Sequence, residues 1–158
     1  QVRSILADTG TDPGLVELEV TESALMRDTR STAELIGQLH QAGLSLAVDD
    51  FGTGYSSLAY LKRFAVNTLK IDRSFVQDCD GDDDDPAIVR AIIAMARSLG
   101  IDLVAEGVET VAQARVLQTE GCRIMQGYLF SRPISAEAFG QVLTLGLPNA
   151  RLMARYSA

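Results

Sequence analysis

The chain has 158 residues, 47% of them apolar and 22% charged, the balance of a single soluble globular domain with a substantial core. Its 14 lysines and arginines against 21 aspartates and glutamates leave a formal charge of −7. That charge argues against broad binding of large nucleic acids, and an anionic substrate would need metal ions or local cations to offset it. No run reaches the ~18 apolar residues of a membrane span and no signal peptide opens the chain, so a cytoplasmic location is expected. Gln1 in place of Met suggests a piece of something longer.

In chain order, Gln1 to Ala7 reads as the end of a helix, followed by a polar turn through Thr9-Gly10-Thr11-Asp12-Pro13-Gly14. Leu15 to Val20 is a strand with Glu17 and Glu19 on one side, and Thr21-Glu22-Ser23 turns into a short helical segment. Thr32 to Ala42 carries Ala33, Leu35, Ile36 and Leu39 at helical spacing, and Gly43 suits its C-terminal cap. His40 is the only histidine and is expected on a helix surface, which argues against histidine-based catalysis or a His-rich metal site.

Leu44 to Val48 then fits a buried parallel strand, with two adjacent carboxylates, Asp49 and Asp50, where it ends. Gly52 and Gly54 allow a turn there, and Ser56 or Ser57 can start the helix near Leu58–Phe64. Paired carboxylates raise one another's pKa unless a cation or hydrogen bonds stabilise them, and a divalent metal is the simplest such cation. An Asp-rich turn that caps a helix explains the same spacing, so both readings stay open on the residues alone.

Asn67 to Ile71 is the next strand and ends at Asp72. The acidic run Asp78 to Asp85 fails as a calcium loop: counted from Asp78, positions six and twelve hold Asp83 and Val89 where an EF-hand needs Gly and Glu. Asp85 as N-cap and Pro86 at the first helical position explain it better. Ile88 to Leu99 is a strongly apolar helix closed by Gly100. Its stripe of Ile88, Ile92, Met95 and Leu99, widened by Ile93 and Ala96, suggests burial on more than one side, including against a partner chain. Ile101 to Ala105 is a strand leading to Glu106-Gly107-Val108-Glu109. Thr110 caps a helix that runs to about Glu120 and stops at Gly121. Cys122 to Met125 is a last short strand before Gln126-Gly127, and Ser135 caps a final helix ended by Gly146 and Pro148. Cys79 and Cys122 match no metal-ligand spacing and suit a reducing compartment.

Strand and helix alternate five times, which predicts an α/β fold. Glu19, Asp49, Lys70, Glu106 and Gln126 fall at the carboxyl ends of successive predicted strands, the catalytic face of a (β/α) barrel. An open doubly wound sheet gathers its ligand at one switch point instead, and neither GxGxxG nor a P-loop is present. The expected fold is therefore an incomplete TIM-like (β/α) barrel of about five C-terminal βα units. The domain expectation is residues 1–146 as one partial domain with a tail over 147–158.

Five segments together resemble the EAL-domain phosphodiesterases of bacteria. They are Glu19-Val20-Thr21-Glu22-Ser23, Asp49 through Leu58, Leu69-Lys70-Ile71-Asp72, Ala105-Glu106-Gly107-Val108-Glu109, and Gln126 through Ser131. The resemblance runs from about Leu15 to Phe139. It implies hydrolysis of cyclic di-GMP to linear pGpG with Mg2+ or Mn2+ on a TIM-like barrel. By motif, Glu19, Asp49 and Asp50 resemble metal ligands, and Lys70 the lysine that contacts the attacking water. Glu106 resembles the general base or a metal ligand, Glu109 a second site glutamate and Gln126 the active-site glutamine. Glu22 resembles the glutamate that holds the Asp50–Ser57 loop.

The namesake Glu-Ala-Leu motif, its neighbouring substrate-binding arginine and a ligating asparagine lie on earlier strands that this chain does not contain. The expectation is thus an active parent domain, with this fragment alone inactive. The alternatives are a degenerate member that binds cyclic di-GMP or a partner without turnover, and a dimerisation fragment. A homodimer is expected from the missing strands and the broad apolar face of Ile88–Leu99, and a linked sensory or diguanylate cyclase (GGDEF) domain is a further expectation of the resemblance.

Overall fold

A computed structural model of the chain describes residues 1–25, 29–53, 58–79 and 86–146. The expectations placed on Gly54, Ser56, Ser57, Asp85, Pro148 and the tail over 147–158 lie outside the described residues. The elements in order are α1 (Val2–Thr9), a short 3-10 turn (Pro13–Leu15), β1 (Glu17–Thr21), α2 (Glu22–Leu25), α3 (Thr29–Gln41), β2 (Ser45–Phe51), α4 (Leu58–Arg63), β3 (Thr68–Ile71), α5 (Arg73–Gln77), α6 (Ala87–Leu99), β4 (Asp102–Ala105), α7 (Val111–Glu120), β5 (Ile124–Met125) and α8 (Ala136–Leu145). The five strands form one parallel sheet in the order β1-β2-β3-β4-β5. Strand neighbours in sequence are neighbours in space, with helical crossovers between them, as the alternation of elements predicts.

The chain divides into two compact units. The first comprises Gln1–Ile71 with Ala94–Leu103. Its core holds Leu46, Val48, Leu69, Ile71, Leu25 and Leu61, each at most 2% exposed. Every residue of β3 is buried, the pattern of a strand covered on both faces. Full burial of Leu69 and Ile71 contributes about 1.5–3 kcal/mol each. Asn67 sets the register at the entry to β3. Its main-chain N–H donates to the Leu46 carbonyl at 3.0 Å, its Oδ1 accepts from the Leu46 N–H at 2.9 Å, and its carbonyl accepts from the Asp102 N–H at 2.9 Å.

The second unit comprises Asp72–Ile93 with Val104–Ala158. Its buried side chains include Val76, Val89, Val108, Leu117 and Cys122. Helix α7 starts in a full capping box: Thr110 Oγ1 accepts from the Gln113 N–H, and Gln113 Oε1 accepts from the Thr110 N–H. It ends at Gly121 with φ 100°, as expected of a left-handed cap.

Three expectations change. Asp49 and Asp50 lie inside β2, which runs on to Phe51, and do not follow it. Helix α5, capped by Asp72 through the Ser74 N–H, was absent from the sequence reading. Finally, Ile88 is 56% exposed, and the buried face of α6 is Val89, Ile92, Ile93 and Ala96, with Met95 and Leu99 half-buried. The buried face thus includes Val89 in place of Ile88 and keeps Ile92, Ile93 and Ala96 as expected. Both cysteines are free and buried, and burial pushes the Cys122 thiol up from its ordinary pKa.

Candidate active site

In the first unit the site is built on three neighbouring strands. β1 and β2 pair in register, Glu19 with Ala47 and Thr21 with Asp49, and β2 pairs with β3 through Ala47–Thr68 and Val48–Leu69. The period of two puts Glu17 and Glu19, Ala47 and Asp49, and Thr68 and Lys70 on one face. There the Lys70 ammonium lies 2.7 Å from Glu19 Oε1 and 3.3 Å from Asp49 Oδ1. The Lys70 side chain is 7% exposed, against 51% for Glu19 and 26% for Asp49. A lysine buried to this degree is held by paired charge rather than by solvent. Lys70 is thus not an ordinary solvent-exposed lysine.

Between Val48 and Phe51 the β2–β3 register shifts, and Asp50 adopts φ 54° within the strand. The left-handed region is one that Asp tolerates better than most residues. The irregularity breaks the alternation, so the two adjacent carboxylates are freed from pointing to opposite faces. The Asp50 carbonyl accepts from the Thr53 N–H at 3.3 Å and from Thr53 Oγ1 at 2.8 Å, which closes the turn. The sequence reading assigned the turning freedom to Gly52 and Gly54; Gly52 does have φ 99°, but the bend begins at Asp50 itself. Glu22 is 3% exposed, and its Oε2 accepts from the Gly52 N–H at 3.1 Å, so it does bind the start of this loop.

In the second unit, Glu106-Gly107-Val108-Glu109 and Gln126-Gly127 are joined main chain to main chain. The Gln126 N–H donates to the Ala105 carbonyl at 2.8 Å, the Val108 N–H to the Gln126 carbonyl at 3.1 Å, and the Leu129 N–H to the Val108 carbonyl at 3.0 Å. A Cβ at position 127 would lie 2.1 Å from the Val108 carbonyl oxygen and 2.3 Å from its nitrogen. At position 107, where φ is 66°, it would lie 2.4 Å from Arg73 Cβ. Both glycines are therefore required for close approach. Gln113 Oε1 also accepts from the Glu109 N–H at 2.9 Å, which fixes the backbone that carries the Glu109 side chain. Glu106 is half-buried, and Glu109 and Gln126 are exposed. Beside Gln126 lies a cavity of about 390 Å3 walled by Tyr128, Arg132, Ile134, Phe139 and Val142, with the Arg132 guanidinium 4.5 Å over the Tyr128 ring.

Sequence reasoning missed Thr68, buried on the same face as Lys70, although the period of two that placed Glu17 and Glu19 together carried the signal. It also missed Val108 and Arg73, the partners that make the glycines necessary, because contact between distant segments leaves no local pattern.

This is an α/β sheet with acidic and lysine side chains near the carboxyl ends of its strands, the arrangement of a TIM-like barrel. The family model described as EAL domain matches residues 1–133, and the chain belongs to that family. It is 48% identical over 143 residues to the cyclic di-GMP phosphodiesterase NbdA of Pseudomonas aeruginosa, a match covering 90% of this chain and 18% of NbdA. The solved P. aeruginosa MucR phosphodiesterase in complex with c-di-GMP is 48% identical, with a TM-score of 0.83 over 87% of this chain and 56% of that one. BlrP1 of Klebsiella pneumoniae, solved with manganese and cyclic di-GMP, is 39% identical, with a TM-score of 0.77 over 84% of this chain and 34% of that one. The chain thus spans about a fifth of the length of the curated relatives, 18% of NbdA and 20% of MucR.

Proposed function

We propose that this chain is the C-terminal part of a domain that hydrolyses cyclic di-GMP to pGpG with Mg2+ or Mn2+, the fragment alone being inactive. The observation that carries the reading is the buried Lys70 ammonium held between Glu19 and Asp49 on adjacent strands. Support comes from family membership and from relatives named as cyclic di-GMP phosphodiesterases.

The residues suit a divalent cation. Asp49 Oδ1 is buried and accepts no hydrogen bond, and the Lys70 ammonium lies 3.3 Å from it. The donor set is carboxylate oxygen throughout, which suits hard Mg2+ or Mn2+, and a manganese complex among the structural relatives agrees. Glu19, Asp49 and Asp50 would hold the metal, with Glu106 as a further ligand or as general base. When bound, such ions lower the pKa of water and stabilise charge on phosphoryl oxygens.

The chain's own residues do the rest. Lys70 brings a fixed positive charge to a face otherwise made of carboxylates and orients the attacking water toward phosphorus. Glu106 in its base role takes the proton of that water, and Glu109 and Gln126 position the substrate from the glycine-clasped loops. Glu22 holds the loop that begins at Gly52 in its working position. Attack on phosphorus breaks one phosphodiester P–O bond, the leaving ribose oxygen takes up a proton, and the ring opens to the linear dinucleotide.

Residues 1–146 are read as the C-terminal portion of that domain, with a tail over 147–158. A cytoplasmic location, a homodimer and a linked sensory or GGDEF domain belong to the same reading. Among the described residues no helix is long and apolar enough to cross a membrane, and MucR carries a diguanylate cyclase activity in its name. The test is to incubate the full-length gene product with cyclic di-GMP and either metal and to quantify pGpG by chromatography. Metal-dependent product is expected; binding without product would make the domain a nucleotide sensor and sink the hydrolytic reading.

A further inference from the structure

We propose that Glu17 and Thr68 form a positioning brace one layer beneath Lys70, which sets where Glu19 meets the Lys70 ammonium. Thr68 is 7% exposed, and its hydroxyl donates to Glu17 Oε2 at 2.6 Å. A hydroxyl on a carboxylate at this distance is a charge-assisted bond, stronger than a neutral one.

The brace lies diagonally across three strands. Glu17 pairs in register with Ser45, and Thr68 with Ala47, so the bond rises one row as it passes from β1 over β2 to β3. The Glu19–Lys70 ion pair takes the same path one row higher: Glu19 pairs with Ala47, and Lys70 lies two residues beyond Thr68. The outer strands of such a triplet stand roughly 9–10 Å apart, twice the spacing of neighbours. Side chains meet over that gap only where the middle strand presents small residues, and this face of β2 presents Ser45 and Ala47. The two contacts are thus successive rungs of one ladder. The lower rung ties β1 to β3 two residues before the functional pair, and it fixes the twist and offset that bring Glu19 Oε1 to 2.7 Å from Lys70 Nζ. Neither Glu17 nor Thr68 is assigned a contact with substrate. Both act through Glu19 and Lys70, and their bearing on catalysis rests on the phosphodiesterase reading.

The chain has two lysines, Lys62 and Lys70, and Lys62 is exposed on α4. Reductive methylation read by mass spectrometry therefore reports the protection of Lys70 with an internal reference in the same molecule. Thr68→Val removes the donor at constant volume and Thr68→Ser restores it. Relative to Lys62, the methylation rate of Lys70 is expected to rise about threefold or more in Thr68→Val, and to stay near the parent rate in Thr68→Ser. Glu17→Leu, at an exposed position, should match Thr68→Val, and it decides the matter if the latter fails to fold. The double variant should add nothing to either single one. A folded Thr68→Val or Glu17→Leu with unchanged Lys70 protection overturns the brace, as does a Thr68→Ser that behaves like Val.

In the full-length protein, Thr68→Val should lower kcat by about tenfold with KM for cyclic di-GMP within about twofold, and Ser should recover it. A parent enzyme without turnover would count against the phosphodiesterase reading alone, because the methylation result stands apart from activity.

Discussion

In the first unit the candidate site residues and their neighbours meet through side chains: the Lys70 ammonium reaches Glu19 at 2.7 Å and Asp49 at 3.3 Å, and the Thr68 hydroxyl reaches Glu17. In the second unit the joins are main chain on main chain, with the Gln126, Val108 and Leu129 amides bonded to carbonyls and the Val108 backbone against Gly127. Side chains with several rotatable bonds can adjust to a small displacement, whereas packed backbone cannot. Substitutions in the first unit should therefore cost chemistry while the fold persists. Substitutions at the clasp of the second should cost the fold itself.

The largest expected effect is at the clasp. Gly127→Ala would place Cβ 2.1 Å from a carbonyl oxygen, and destabilisation of about 4 kcal/mol or more is expected. Urea unfolding of the chain measures it, and a loss below about 1 kcal/mol would show that the clasp yields. Gly37→Ala is the matched control: nothing lies within 4 Å of its Cβ position inside α3, so a gain of about 0.5–1 kcal/mol is expected.

Lys70→Ala comes next. In the full-length protein it should lower turnover by at least ~10²-fold, the low end for a positioned catalytic group. Near-normal turnover would remove Lys70 from the mechanism. Asp49→Asn should weaken the metal dependence as well as the rate, and an unchanged metal titration would speak against ligation by Asp49.

Thr110→Ala removes half of the capping box of α7 and should cost about 1 kcal/mol, read by thermal unfolding. The smallest effect belongs to Asp72. The Ser74 hydroxyl, then the Ser74 and Arg73 amides, hold its carboxyl below the usual carboxylate range, while partial burial opposes them. A folded-state pKa below the unfolded value of about 3.9 means that the contribution is fully present above that value. It is lost as pH falls through the folded-state value. Asp72→Asn should therefore flatten the acid limb of a Tm-against-pH curve and leave neutral pH nearly unchanged. A variant with the parent's acid limb would refute the assignment.

Much of the fold was legible because it is local. Thr110 with Gly121, and Ser135 with Gly146, mark their helices through bonds spanning three or four residues, and the structure keeps those bounds. The five-strand alternation was legible for a similar reason, since periodic burial writes itself along the chain. The candidate site residues came from motifs, and the structure joins Glu19, Asp49 and Lys70 in one unit and bonds the backbone around Glu106, Glu109 and Gln126 in the other. Helix α5 escaped notice because five residues beginning Arg73-Ser74 carry too little periodicity to stand out.

By itself, then, the sequence determined the family, the order of strands and helices, and the residue types at the strand ends. Hydrophobic period, capping and turn chemistry act over a few neighbours and leave a readable trace. Only the tertiary structure decided that β2 runs past Asp49 and bends at Asp50, that Val89 and not Ile88 faces the core, and that Lys70 is buried between two carboxylates. Each of these depends on which segments lie across from one another, through strand register and the removal of water from a particular face. Contacts 30 or 51 residues apart, such as Glu22 with Gly52 or Glu17 with Thr68, exist only once the sheet has formed.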